Sequence, residues 1–149
     1  MQQDQITGYS EKLQIEKRYV TVTTKETLLE MVEAIEEASR ISLDTETTSL
    51  NPRKGKIIGF SITTKIGTGF YLPTLKWNNY TQKLEELLIE GKSTHNIAVR
   101  VMKMLKGKKL ICHNASFDLR YIKNYYGVSL IEDLWVDTAL LVHTVQEEG

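Results

Sequence analysis

The chain is short of the features that mark special environments. It has one cysteine, Cys112, in 149 residues. An internal disulfide is excluded, and a reducing, cytoplasmic setting is the expectation. No run of about 18 apolar residues occurs, so no membrane span is expected. The opening Met1-Gln2-Gln3-Asp4-Gln5 is polar and lacks the apolar stretch of a secretion signal. Neither charge is in excess, with Lys+Arg and Asp+Glu both at 19. Bulk electrostatics therefore select no partner, although a local patch could still attract nucleic acid. No internal repeat or low-complexity stretch is visible. What is present is an ordinary globular composition, 41% apolar and 26% charged, at a length that suits one domain.

Residues 1–17 are polar and aperiodic and read as a lead-in arm, with the domain proper following residue 18. Tyr19 to Val22 alternates like a strand. Thr23 and Glu26 have the spacing of a capping box, and Leu28, Met31, Val32 and Ile35 predict an amphipathic helix over 24–38. Arg40 to Leu43 leads a strand into Asp44, and Asn51 to Gly55 is a turn. Ile57 to Thr63 and Thr68 to Leu72 predict a hairpin. In the less regular stretch 73–95, Leu84, Leu87 and Leu88 suggest a short helix. Ile97, Val101, Met104 and Leu105 make a helical stripe ended by Gly107, and Leu110 to Cys112 is a strand. Asn114 is placed to cap a helix running to Tyr126, with Gly127 as its stop. Leu130 to Val136 reads as extended, and Asp137 as the cap of a helix from Thr138 to Val145. The order predicts an α/β chain with a mixed sheet flanked by helices.

Two acidic signatures follow strands. The first is Asp44-Thr45-Glu46; the second is Asn114-Ala115-Ser116-Phe117-Asp118. Residues i and i+2 of a strand share a face, so the Asp44 and Glu46 carboxylates are expected to converge. In water they would repel; a divalent cation between them turns repulsion into coordination. Mg²⁺ takes one or two carboxylates and completes its shell with water and phosphate oxygens. Asp118 would fall in the first turn of its helix, where the dipole favours negative charge. Phe117 offers a flat apolar surface to a base or sugar. Taken singly, Asp-x-Glu is a common triplet, and Asn114 with Asp118 is an ordinary cap and charged first turn. The two together, each after a strand, are read as a metal site.

Other residues carry quieter readings. His113 could reach a nucleotide but reads first as a structural histidine, and Cys112 as a small buried apolar residue. Tyr121 and Tyr125 share a helical face and read as packing, with Tyr126 beside them. Lys103, Lys106, Lys108 and Lys109 form the clear basic cluster, a solvated face or a contact for a phosphate backbone. Trp77-Asn78-Asn79-Tyr80 leaves two readings open, a single-strand contact or a loop anchor.

From about Tyr19 to Val145 the chain resembles the 3′–5′ exonuclease domain of family A DNA polymerases, within the DEDD superfamily on the ribonuclease H-like fold. Asp44 to Leu50 resembles the first exonuclease motif and Asn114 to Asp118 the second. The resemblance implies that Asp44, Glu46 and Asp118 are catalytic and hold two Mg²⁺ or Mn²⁺ ions, with Asp44 bridging them. It implies that Thr45, Leu50, Asn114, Phe117 and His113 line the substrate. Leu50 would be the apolar wedge against the terminal bases, and Asn114 and Phe117 the walls of the 3′-nucleotide pocket. Asp137-Thr138 resembles the family's Asp-Thr stretch after motif two, where Asp137 reads as a cap or, alternatively, as a catalytic group. The family's third motif supplies a further Asp and a Tyr or His. Nothing after Asp137 matches it: His143 is followed only by Thr144 to Gly149. The expectation is a fragment of a longer polymerase-like protein, or one chain of a split one. Weak or absent hydrolysis alone and exposed apolar side chains at Leu140 and Leu141 would follow.

Three functions compete. The first is proofreading hydrolysis of the 3′-terminal nucleotide of DNA, with the single-stranded 3′ end and a polymerase body as partners and no membrane. The second is RNA trimming of the ribonuclease D type, with the same acids. The third is a non-catalytic single-strand-binding or polymerase-docking module.

Overall fold

The computed structural model describes residues 17–140. Ten strands, β1 (Arg18–Thr21), β2 (Arg40–Thr47), β3 (Ile57–Thr63), β4 (Thr68–Pro73), β5 (Leu75–Asn78), β6 (Lys83–Glu86), β7 (Leu88–Ile89), β8 (Lys92–Ser93), β9 (Lys109–Cys112) and β10 (Leu134–Asp137), accompany three helices, α1 (Lys25–Glu37), α2 (Thr94–Met104) and α3 (Ala115–Tyr126). A single 3₁₀ turn, Ile131–Asp133, precedes β10, and a further helical turn opens at Thr138. All but the last two residues of the expected arm, and His143 with the rest of the last predicted helix past Leu140, lie outside the described residues.

Six strands form one sheet in the order β1-β4-β3-β2-β9-β10. β2, β3 and β4 pair antiparallel, while β1 joins β4, β9 joins β2, and β10 joins β9 in parallel. The sheet is therefore mixed, as the element order predicts. Strand alternation sorts its faces. Leu43, Ile62 and Phe70 stand in one cross-strand row and are buried. They share a core with Met31 and Ile35 of α1, Ala98, Val101 and Met102 of α2, and Leu119, Tyr121 and Ile122 of α3. Burying each large apolar side chain contributes about 1.5–3 kcal/mol. The next row, Asp44, Ser61 and Tyr71, lies on the opposite face and is partly open to solvent.

Several expectations shift. The cap of α1 is Thr24, whose side chain accepts from Thr27 N while Thr27 Oγ1 accepts from the Thr24 N–H. The box is thus shifted by one residue, Thr24 with Thr27 in place of Thr23 with Glu26. β2 does not end before Asp44 but runs through Glu46 to Thr47. The short helix expected around Leu84 is absent. Two hairpins replace it: β5 pairs β6 with Trp77 opposite Leu84, and β7 pairs β8. Glu90 and Gly91, the two residues between β7 and β8, have φ of 49° and 76°. Two positive φ values in a two-residue loop make the turn whose twist suits a hairpin.

Lys108 and Lys109 of the basic cluster have structural partners. Lys108 Nζ donates to Ala38 O at 2.7 Å and to Glu36 O at 3.2 Å, closing the negative end of α1. Lys109 and Arg40 lie over the Trp135 ring, at 5.3 and 4.8 Å from its centre. In the stretch Trp77 to Tyr80 the loop is tied by Asn78, whose Oδ1 accepts from Tyr80 N at 2.8 Å and whose Nδ2 donates to Glu85 Oε1 at 2.9 Å, while Trp77 is half exposed and Tyr80 is 98% exposed.

Candidate active site

The site is built where β2 meets the first turn of α3. Asp118, carried by that turn, is 2% exposed. Its Oδ1 accepts from the Thr45 hydroxyl at 2.5 Å and from Thr45 N at 3.3 Å. The second signature is thus anchored on the first, at the residue between its two acids. Oδ2 of Asp118 is buried and has no hydrogen-bond partner among the described residues. Burial is the main cause that pushes the Asp118 pKa up to about 6; the Thr45 bonds pull it down, and the charges of Asp44 and Asp137 push it up again.

Asp44 and Glu46 are exposed on the same face of β2. Glu46 is not free: Tyr71 Oη donates to its Oε2 at 2.6 Å. Burial first, and then the Glu46 bond and charge, raise the Tyr71 pKa, so the phenol stays a donor. Without an ion the three carboxylates do not form a closed cage: no group of three ligating side chains is close enough to hold an ion among the described residues. Asp44 and Asp118 feel each other, while Glu46 is held at Tyr71. The donor set still fits a hard dication: Mg²⁺ asks for one or two carboxylates, and Asp118 Oδ2 is an acceptor that folding leaves unsatisfied. No Lys or Arg ion-pairs with Asp44, Glu46 or Asp118 among the described residues.

Asp137 corrects the reading of Asn114. Asn114 sits at the head of α3 with φ 68°, but its side chain makes no capping bond. The cap comes from β10: Asp137 Oδ1 accepts from Asn114 N at 3.0 Å and Oδ2 from Ala115 N at 2.9 Å. Oδ1 also accepts from Ala139 N at 3.0 Å, so the predicted capping of the helix at Thr138 holds as well. Burial works to raise the Asp137 pKa, but the N–H groups of Ala115, Asn114, Ala139 and Leu140 outweigh it and hold the carboxyl below its usual range. A carboxylate so fully used by the backbone is a structural group.

His113 is exposed, with Nδ1 2.9 Å from Thr138 Oγ1. Phe117 is half-buried, its ring centre 5.2 Å from that of Tyr121. Leu50 is 87% exposed on the loop after β2. That loop is fastened to α3: Tyr121 Oη donates to Ser49 O and, at 3.2 Å, to Asn51 O. A Cβ on Gly55 would lie 2.9 Å from Tyr121 Cζ, so a glycine there lets the loop close over the ring. The packing role read for Tyr121 is right, and the loop bond is additional. Tyr125 and Tyr126 pack with each other and with His95, at ring separations near 5.1 and 5.2 Å. Cys112 is buried, and burial, followed by the charges of Asp118, Asp137 and Asp44, pushes its thiol up to about 12. It is no nucleophile. Tyr71 was missed by sequence reading; its only signal is Gly59, a glycine inside a strand, which marks close approach of a neighbour.

Sheet order, helix placement and paired acidic motifs define an α/β domain of the ribonuclease H-like fold, the class that the solved likenesses share. The chain belongs to the 3′–5′ exonuclease domain family of family A DNA polymerases: the family model, described as 3′–5′ exonuclease, matches residues 19–143. It is a family of nucleases, and its members generally use divalent metal ions. DNA polymerase I of Borreliella burgdorferi is 33% identical over 110 residues, 72% of this chain and 11% of that relative. The chain thus spans about a tenth of the length of that relative. Among solved structures, Trypanosoma brucei RNase D in complex with RNA U12 matches with a TM-score of 0.61 at 18% identity, over 87% of this chain and 40% of that one. The EXO domain of Aedes aegypti Nibbler matches with a TM-score of 0.58 at 11% identity, over 86% and 56%. At these identities the two structures show the fold alone. No helix among the described residues is long and apolar enough to cross a membrane.

Proposed function

We propose that this domain removes the 3′-terminal nucleotide of single-stranded DNA with the help of divalent cations, proofreading for a polymerase body in the same or a separate chain. The observation that carries the reading is the Asp118 carboxylate, seated on Thr45 between Asp44 and Glu46 with one oxygen buried and unused. Asp44 and Asp118 would hold two Mg²⁺ or Mn²⁺ ions, with Glu46 as a third ligand. Bound ions would supply charge stabilisation at the phosphate and an acidified water. The chain itself does the positioning. Leu50 meets the terminal bases as an apolar wedge. Phe117 offers its half-buried ring to the last sugar or base, and the Asn114 amide, free of capping duty, binds the nucleotide. Thr45 holds Asp118 against the sheet, and His113 lies at the edge of the pocket. The 33% identity to a DNA polymerase favours DNA over RNA as substrate.

The test follows 5′-labelled single-stranded DNA and RNA of one sequence, with Mn²⁺, beside Asp44→Ala. Slow stepwise shortening of the DNA from its 3′ end, needing both metal and Asp44, is the expected result. Equal shortening by Asp44→Ala overturns the assignment of Asp44 to the site, and binding of 3′ ends with neither cleavage nor Asp44-dependent Mn²⁺ binding overturns the reading in favour of a docking module. Faster shortening of RNA moves the substrate to the ribonuclease D class, since contacts to the 2′-hydroxyl decide that preference.

A further inference from the structure

The geometry points to Tyr71 as the positioning residue of the candidate metal site, holding the Glu46 carboxylate in its working orientation through a gap that Gly59 keeps open. This rests on the reading of Asp44, Glu46 and Asp118 as cation ligands. Tyr71 lies on β4, two strands away from Glu46 on β2. In register its row is Asp44, Ser61, Tyr71, whereas the row of Glu46 is Glu46, Gly59, Pro73. Tyr71 thus reaches its acceptor diagonally, across the strand between them. The residue it crosses is Gly59. A Cβ there would lie 2.6 Å from Tyr71 Cζ and 2.8 Å from Cε2, closer than atoms approach. The Gly59 backbone is outside the left-handed region, so its conformation does not call for glycine. The missing side chain serves the crossing ring.

The chemistry follows from the bond. A glutamate on an exposed strand has three rotatable bonds and samples many carboxylate positions. Donation from Tyr71 Oη to Oε2 at 2.6 Å selects one of them and leaves Oε1 as the free acceptor. Donors that orient ligating carboxylates are worth about 10–100-fold in metal affinity. Tyr71 touches no reacting atom in this arrangement; it acts through Glu46.

The test is Mn²⁺ binding by the whole chain, followed by the loss of the free-ion electron paramagnetic resonance signal. Wild type, Tyr71→Phe, Gly59→Ala and Asp44→Asn are titrated at one pH, with a thermal melt of each metal-free protein. The ¹³C resonance of the Glu46 carboxyl is recorded beside them. Tyr71→Phe keeps the ring and removes the donor; Gly59→Ala keeps the donor and displaces it. Both are expected to weaken Mn²⁺ binding about tenfold and to move the Glu46 resonance, with melting unchanged in Tyr71→Phe. In a Glu46→Gln background, Tyr71→Phe should add no further loss. Wild-type affinity in Tyr71→Phe, while Asp44→Asn no longer binds, overturns this inference and leaves the metal site standing. Tighter binding in Tyr71→Phe, the mark of a latch that keeps Glu46 away, overturns it too. Binding no stronger in wild type than in Asp44→Asn removes the metal site and this inference with it.

Discussion

Two aspartates flank the head of α3 and have opposite fates. Asp137 is surrounded by backbone N–H groups, uses both oxygens, and titrates below its usual range. Asp118, in the first turn of the helix itself, has one oxygen on Thr45 and one with no partner among the described residues, and its pKa stands at about 6. Both are acids near the same helix end, where the dipole favours negative charge. The difference is in donors. A carboxylate that the fold satisfies is holding the fold together; one that the fold buries and leaves short keeps an acceptor to spare, and that is the oxygen the proposed site offers to a cation.

The largest test of that contrast is Asp118→Asn against Asp137→Asn. Asp118→Asn is expected to lower Mn²⁺-dependent shortening of a 3′ end by about a hundredfold or more, beyond the 10–100-fold typical of a supporting residue. Asp137→Asn should retain most of it, and equal losses in a nuclease assay would erase the distinction.

Stability should move the other way. Asp118 has a pKa of about 6 when folded against a reference of 3.8. Between those values the folded state keeps a proton that the unfolded state has released, so stability falls as pH rises and levels off above about 6. Asp118→Asn lacks that loss, and at pH 7.5 it should be about 1–3 kcal/mol more stable than wild type in urea titrations without metal. Added Mn²⁺ should narrow the gap, because it stabilises only the ionised wild type. A metal-free Asp118→Asn no more stable than wild type would mean that the buried charge is compensated.

Asp137→Ala takes the cap from α3 and from the turn at Thr138, and should cost about 1–2 kcal/mol in the same titrations. Its depressed folded pKa means that this contribution is present above the usual aspartate range and disappears as pH falls through the folded value. Denaturation midpoints of wild type and Asp137→Ala should therefore converge in acid. The smallest effect is at Tyr121→Phe, which removes the bonds to Ser49 O and Asn51 O for about 0.5–1.5 kcal/mol. Limited proteolysis should then cut faster between residues 48 and 55, with Mn²⁺ affinity little changed.

The two acidic motifs and the β3–β4 hairpin could be read from the sequence because they are local: a strand pattern, then acids at fixed spacing. The stop of α3 was equally local, since Gly127 at φ 73° takes the left-handed conformation that glycine adopts freely. The cap of α3 was not. Asn114 has the right chemistry in the right place, but Asp137 arrives from β10 with two oxygens and displaces it. No helix pattern reveals a donor set assembled across a sheet. The Tyr71–Glu46 pair is hidden for the same reason, with β3 between the partners. The stretch 73–95 misled because leucines spaced like a helix fall in two short strands and the link between them, Leu84 in β6, Leu87 in the link and Leu88 in β7, with the turns marked by positive φ at Gln82, Glu90 and Gly91.

Tyr121 stands three residues after Asp118, one turn along the same side of α3. Its hydroxyl grips the loop that bears Leu50. Three residues earlier on that side, Asp118 is bonded to Thr45 of β2, so one helix face works like the hinge plate of a clamp, fixing the span between the Leu50 loop and the acidic strand.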